Sequence, residues 1–299
     1  AFGGASSPVG SGTFKMASGT YTGNGTTQTI GELDFKPDLV IIKNNANQQG
    51  VFSTSLMAGN TTAYLGSATV NFEGGILGYT ASGFSIGPHA TVNTSGNTYH
   101  WQAFGNAFSP NTNTGAADFA VGMYTGNAVD DRDITNLPFQ PDLVAIKSVT
   151  NAGAGVWRSS VLTGDLSSFF AATAEAANMI QAINTDGFEV GTGANVNNNL
   201  VSYYWFAFKA GANFAVGTYD GNATDNREIT GVGFQPDLVW VKRSTNVNGV
   251  SRSSTLAGDA TQYFVNVANT TDRIQALSAD GFQVGGNQTE TNANLATYR

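Results

Sequence analysis

Three copies of one short segment constrain this chain more than any other feature. Residues 34–43 read Asp-Phe-Lys-Pro-Asp-Leu-Val-Ile-Ile-Lys, residues 138–147 read Pro-Phe-Gln-Pro-Asp-Leu-Val-Ala-Ile-Lys, and residues 233–242 read Gly-Phe-Gln-Pro-Asp-Leu-Val-Trp-Val-Lys. Each joins a turn signal to a core-strand signal. Proline is excluded from a sheet interior, aspartate favours the turn, and the apolar run that follows carries β-branched residues. Core strands are therefore expected to begin at Leu39, Leu143 and Leu238. The closing lysines, Lys43, Lys147 and Lys242, read as points where each strand emerges into water. Asp38, Asp142 and Asp237 follow proline, a position from which the side chain bonds nearby backbone amides.

The spacing sets the domain plan. Pro37, Pro141 and Pro236 stand 104 and 95 residues apart. That is too long for a solenoid unit of ~20 to 50 residues and suits a small domain. The expected plan is a string of beads, each with its own core. It comprises an N-terminal extension over 1–13, repeat one over 14–105, a linker over 106–117, repeat two over 118–209 and repeat three over 213–299. The connection over 210–212 is short, so repeats two and three are expected to be held more stiffly than one and two.

Composition narrows the partners. Asp, Glu, Lys and Arg make up 11% of the 299 residues, against ~25% in an average domain, so neutral polar side chains must carry solubility. The net charge of −8, with 13 Lys and Arg scattered singly, argues against a nucleic-acid or anionic-membrane partner. No run approaches the ~20 apolar residues of a membrane span. Without cysteine, disulfides and thiolate chemistry are excluded.

Within each repeat the pattern is all strand. An alternating segment ends at Tyr21, Tyr124 or Tyr219, and short strands follow around Ile30, Ile134 and Ile229. After the central strand come Val51, Val156 and Val250. The stretch from Leu166 to Ala177 is the one place for a short helix or irregular segment. Ser82-Gly83, Asp186-Gly187 and Asp280-Gly281 mark a hairpin, read as a type I′ turn with positive φ at its centre. The last strand is aromatic, Tyr99 to Phe104 and Tyr203 to Phe208. The fold class is all-β: three tandem antiparallel β-sandwich, jelly-roll-like domains.

Repeat three stops at Thr297-Tyr298-Arg299, where its siblings continue into Trp-x-Ala-Phe, so it is expected to lack its last strand. The chain begins Ala1-Phe2-Gly3, which resembles the exit of repeat one at Ala103-Phe104-Gly105. A sandwich short of a strand exposes an edge and a strip of core, the condition for strand addition. One explanation is that the N-terminal segment completes a neighbouring copy's third repeat, giving head-to-tail assembly through Ala1, Phe2, Gly3, Thr297, Tyr298 and Arg299. The other is a window cut from a longer array.

Chemistry-bearing residues are few. Asp131-Arg132 and Arg227-Glu228 read as surface ion pairs across a hairpin. Asp130, Asp131 and Asp133, or Asp220 and Asp225, are a candidate Ca²⁺ site, though without a full run of alternating oxygen ligands. His89 and His100, the only histidines, stand at no ligand or triad spacing. Trp157 and Trp240 are candidates for stacking on glycans, with Asn and Asp as hydrogen-bonding partners. Trp101 and Trp205 occupy matching places in their repeats and read as packing. No catalytic motif recurs across the copies, so no enzyme, cofactor or metal is expected.

Gly-Thr-Tyr-Thr-Gly-Asn-Gly at 19–25, the Pro-Asp-Leu-Val segments, Thr-Asp-Gly-Phe-Glu-Val-Gly-Thr at 185–192 and Tyr-Tyr-Trp-Phe-Ala-Phe at 203–208 resemble a repeat of bacteriophage tail-fibre and related virion or surface proteins. The resemblance covers nearly the whole chain and implies a structural or adhesive role without catalytic residues. The expected function is therefore a non-enzymatic, extracellular, cell-surface or virion filament subunit whose partners are copies of itself. The alternative is an adhesin whose weak glycan sites add through avidity.

Overall fold

The computed structural model describes residues 1–3, 13–108, 115–150, 152–286 and 288–299. Residues 4–12 of the expected N-terminal extension and 109–114 of the expected linker lie outside them. The fold is all-β and antiparallel, as expected, with two four-residue helices at Ala90–Asn93 and Ala194–Asn197.

Each repeat is a two-layer sandwich. In repeat one the larger sheet runs in the order Lys15–Thr22, Thr98–Gly105, Pro37–Asn44, Val51–Thr54, Thr61–Tyr64 and Phe72–Glu73. The smaller sheet runs Gln28–Ile30, Gly83–Ile86 and Ile76–Thr80. Repeat two repeats this with Phe119–Thr125, Ser202–Phe208, Leu143–Ser148, Val156–Ser159 and Ser168–Phe169, covered by Arg132–Ile134, Gly187–Val190 and Ile180–Asn184.

The continuous apolar run after each Pro-Asp has a reason that alternation alone would not supply, because the larger sheet is buried on both faces. Val40 and Ile42 pack outward with Phe84, Ile86 and Trp101 in the sandwich core. Leu39 and Ile41 point the other way, into a second cluster that holds residues of all three repeats: Phe104 with Phe208 and Phe2, Leu39 with Leu143 and Leu238, Leu65 with Phe170 and Phe264. The beads-on-a-string expectation is corrected accordingly. Each repeat has an outer core of its own, but the three also share a central one.

The contacts between repeats run round a cycle. Gly155 N–H donates to Leu65 O, Gly249 N–H to Phe170 O and Gly50 N–H to Phe264 O, at 2.9, 3.2 and 3.0 Å. These are the same two positions in each successive pair. Ala268 N–H to Asn47 Oδ1 (2.7 Å) and Asn269 N–H to Asn45 O (3.0 Å) tie repeat three back to repeat one, so no pair of repeats stands free.

This ring accounts for the lysines, which the sequence reading placed in water. Lys43, Lys147 and Lys242 are 6%, 1% and 2% exposed. Their ammonium groups are bonded to backbone carbonyls: Asn44 and Ala46 for Lys43, Ser67 and Gly153 for Lys147, Thr173 and Thr245 for Lys242. Ser67 belongs to repeat one and Thr173 to repeat two, so two of the lysines fasten neighbouring repeats. Burial brings each of the three pKa values down to about 8.

The hairpin also differs from its expected form. Thr80 pairs with Gly83, Asn184 with Gly187 and Ser278 with Gly281, so the turn residues are the two before each glycine. None of those six has a positive φ, which rules out type I′. The glycines are required by closeness instead. A Cβ at Gly83, Gly187 or Gly281 would collide with the carbonyl oxygen of Ile30, Ile134 or Ile229 on the adjacent strand. The stretch from Leu166 to Ala177 contains only the two-residue strand Ser168–Phe169 and is otherwise irregular.

Candidate functional site

The structure brings together all six residues expected to take part in strand completion, within one chain. In repeat one, strand Thr98–Gly105 lies between Lys15–Thr22 and Pro37–Asn44. In repeat three the corresponding strand is assembled from both chain ends. At one end Thr297–Tyr298 pairs with Tyr219–Asp220, and Arg299 and Lys242 exchange backbone hydrogen bonds of 2.9 and 3.1 Å. At the other, Phe2 and Leu238 exchange bonds of 2.7 and 3.1 Å, while Ala215 N–H donates to Ala1 O at 3.0 Å. The expected acceptor, a neighbouring copy's third repeat, is thus replaced here by the chain's own. Repeat three does not lack its last strand outright, because residues 1–3 supply the distal part.

The register identifies each residue by its siblings. Phe2 faces Leu238 as Phe104 faces Leu39 and Phe208 faces Leu143. Their rings form a triangle at the centre of the molecule, with centroids 5.3, 5.0 and 5.1 Å apart. Phe2, at 1% exposure, also touches Phe214 and Trp240. Tyr298 stacks on Tyr219 at 5.2 Å, as Tyr99 does on Tyr21 at 5.0 Å and Tyr203 on Tyr124 at 5.3 Å. Its hydroxyl caps the preceding loop by donating to Thr289 O and accepting from Ala293 N–H. Arg299 pairs with the buried Glu175 of repeat two at 3.2 Å. The α-amine of Ala1 donates to Ala215 O at 2.7 Å, and burial lowers its pKa to about 5.

Between the two ends lies a cavity of about 170 Å³, lined by Gly217, Ile229, Val239, Trp240, Val241 and Phe282 among others. Sequence reasoning missed it. The signal was present in the glycine that precedes Tyr21, Tyr124 and Tyr219 by two residues. Gly19 and Gly122 lie against the indoles of Trp101 and Trp205, whereas nothing stands within 4 Å of a Cβ built at Gly217.

The other candidates serve the fold. Trp157 and Trp240 are not exposed platforms; both pack against the central cluster. Trp157 stands across from Ala145 and Trp240 across from Ser251, so each large ring is matched to a small cross-strand neighbour. Asp38 accepts from Ser55 and from Ala107 N–H, and Asp142 from Ser160 and Ala210 N–H. The expected ion pairs at Arg132 and Arg227 are corrected. Their guanidinium groups lie over Tyr124 and Tyr219, 5.3 and 5.6 Å from the ring centroids, and donate to Thr125 O and Asp220 O. Asp130, Asp133 and Asp225 accept from Gln181, Asn184 and Gln275, and Asp220 accepts from Thr297. No group of three or more His, Asp or Glu residues is arranged to hold a cation among the described residues. His89 caps Ala90–Asn93 by accepting from Thr91 N–H and stacks on Phe72. His100 is bonded to Thr255 at 2.8 Å, with a pKa brought down to about 4 by burial and then by Lys43.

No helix of the described residues is long and apolar enough to cross a membrane. A family model described as a domain of unknown function, DUF7483, matches residues 114–217 and again 209–299. Comparison with curated proteins and with solved structures finds no match.

Proposed function

Because the chain belongs to the DUF7483 family, a domain of unknown function, we propose its role from its geometry: a non-enzymatic structural protein, the building block of an extracellular filament or virion appendage. The observation that carries this reading is strand completion by a terminal segment. Phe2 is held by the backbone ladder and by four aromatic neighbours, Phe104, Phe208, Phe214 and Trp240. The charged groups of the chain favour the same reading, because Lys147, Arg158 and Arg252 are spent on backbone carbonyls rather than turned to a cleft. The contacts that close the ring within one chain are also available between copies. Exchange of residues 1–3 then joins one ring to the next, head to tail, by domain swapping.

Electron microscopy and solution mass at rising protein concentration test this. Chains of three-lobed particles that vanish when residues 1–12 are deleted support assembly through the exchanged segment. A particle of single-chain mass, 31.1 kDa for the 299 residues, at every concentration overturns it.

A further inference from the structure

Repeat one differs from its siblings at one buried strand position. Ser53 stands across from Val40 as Arg158 stands across from Val144 and Arg252 across from Val239, so a serine takes the place of a buried arginine. In repeat two the guanidinium donates to the carbonyls of Leu162, Gly164 and Leu166, and in repeat three to those of Leu256, Gly258 and Ala260. The matching carbonyls in repeat one belong to Met57, Gly59 and Thr61. Their loop is held as in repeat three. Met57 N–H donates to Thr54 O at 3.0 Å and Thr61 N–H to Ala58 O at 3.3 Å, as Leu256 N–H does to Ser253 O at 3.1 Å and Ala260 N–H to Ala257 O at 3.3 Å. Gly59, Gly164 and Gly258 share a left-handed conformation, with φ of 66°, 62° and 58°. The acceptors are kept and the donor is gone. Thr61 O takes the Ser53 hydroxyl at 3.0 Å, while the Met57 and Gly59 carbonyls accept no hydrogen bond among the described residues.

Beside Ser53 lies a cavity of about 250 Å³, lined also by Met57, Asn60, Ile76 and Tyr79, with the exposed Lys36 at its rim. The Tyr79 hydroxyl, where repeats two and three carry Ile183 and Leu277, is buried without a hydrogen-bond partner among the described residues. The charges around the position change as well. Asp165 and Asp259, whose carboxylates act on the sibling arginines, are replaced by Asn60. Glu73 stands where the siblings have Ala177 and Thr271. Its Oε1 lies 3.8 Å from a Cβ placed at Gly59, and its carboxylate is unpaired among the described residues. We propose that this cavity binds a guanidinium group from outside the repeat, seated on the Met57, Gly59 and Thr61 carbonyls, with the Tyr79 hydroxyl as a further acceptor and Glu73 as the counter-charge. The planar fork of N–H donors suits a set of carbonyls that receives the same fork twice elsewhere in this chain. Lys36, where the siblings have Gln140 and Gln235, opposes the ligand by like charge. The group can arrive as an arginine side chain of a polypeptide or on a free guanidino compound. The site lies within repeat one and does not depend on the assembly role proposed above.

The test is calorimetric titration of the chain with N-ethylguanidinium, the end of an arginine side chain as a free ion, at concentrations far below denaturing ones. Saturable binding of one ion per chain is expected, and ethylammonium, equal in charge but without the planar fork, should bind about tenfold more weakly. Ser53→Arg supplies the group from within, as in the siblings, and should abolish binding while leaving thermal unfolding unchanged or raised. Glu73→Gln, an exposed change that leaves the fold intact, should weaken binding about threefold, and Lys36→Gln should strengthen it by a similar factor. Absence of saturable binding, equal affinity for ethylammonium, or affinity unaltered by Ser53→Arg or by Glu73→Gln overturns the site. A Gly-Arg-Gly peptide blocked at both ends separates the sources. Tighter binding than N-ethylguanidinium assigns the site to an arginine borne on a polypeptide, and equal or weaker binding assigns it to a free guanidino compound.

Discussion

At the scale of the residue, this protein uses its unusual side chains internally. Phe2 illustrates the strength of one anchor, since loss of a buried phenylalanine ring costs about 3–5 kcal/mol. Phe2→Ala should lower stability to denaturant by that order, comparably to Phe104→Ala and Phe208→Ala at the other corners of the triangle. A much smaller loss at Phe2 would mean that its segment is not docked in solution. The buried lysines make a pH prediction. Their folded pKa values, about 8, lie below the ordinary value of ~10.4, so the unfolded chain binds more protons between these limits and stability rises with pH there. Tyr21 and Tyr79 have raised pKa values and act oppositely above pH 10. The denaturation midpoint should therefore climb from pH 8 to pH 9.5, and Lys147→Met should flatten the slope. A midpoint that falls over this range contradicts the buried, carbonyl-bonded lysines.

At the scale of the element, glycines report where backbones and rings come close. Gly122 lies against the Trp205 indole, and Gly217, at the same place in the next repeat, faces the cavity. Gly122→Ala is expected to cost about 1–3 kcal/mol through overpacking, and Gly217→Ala to stay within about 0.5 kcal/mol. Equal effects of the two substitutions in urea unfolding would show that the two sites are filled alike. The central strands teach a related lesson about legibility. The starts at Leu143 and Leu238 could be read because Pro-Asp breaks a ladder and a β-branched run continues one, whereas in the first copy the strand already begins at Pro37, which pairs with Gly105 at the sheet's end, two residues before the expected Leu39. The fate of the lysines that close them could not, because the carbonyls that receive Lys147 and Lys242 lie partly in the preceding repeat, at Ser67 and Thr173. Likewise, Ser82-Gly83 and the two Asp-Gly pairs announced the hairpins, but the reason for each glycine, the carbonyl of Ile30, Ile134 or Ile229 on a third strand, lay out of reach of local signals.

At the scale of the whole molecule, the shared central core predicts one cooperative unit. Calorimetry should give a single transition that coincides with far-ultraviolet circular dichroism. Three separable transitions would favour independent beads. Deletion of residues 1–3 should lower the midpoint of the whole transition rather than release repeat three alone, since Phe2 contacts Phe104 of repeat one and Phe208 of repeat two. The sequence by itself determined the threefold repetition, the all-β class, the succession of the main strands along each repeat and the kinship of Ala1-Phe2-Gly3 with a repeat's exit. Each of these rests on local signals, namely turn chemistry, alternation and self-similarity. Only the tertiary structure decided that the repeats close into a ring, that the terminal segment docks on its own chain, that Trp157 and Trp240 face inward, and that a cavity remains where the siblings hold an indole. Those outcomes depend on which apolar faces meet across 100 or 200 residues of chain, and an apolar run buried on both faces does not announce what covers either one.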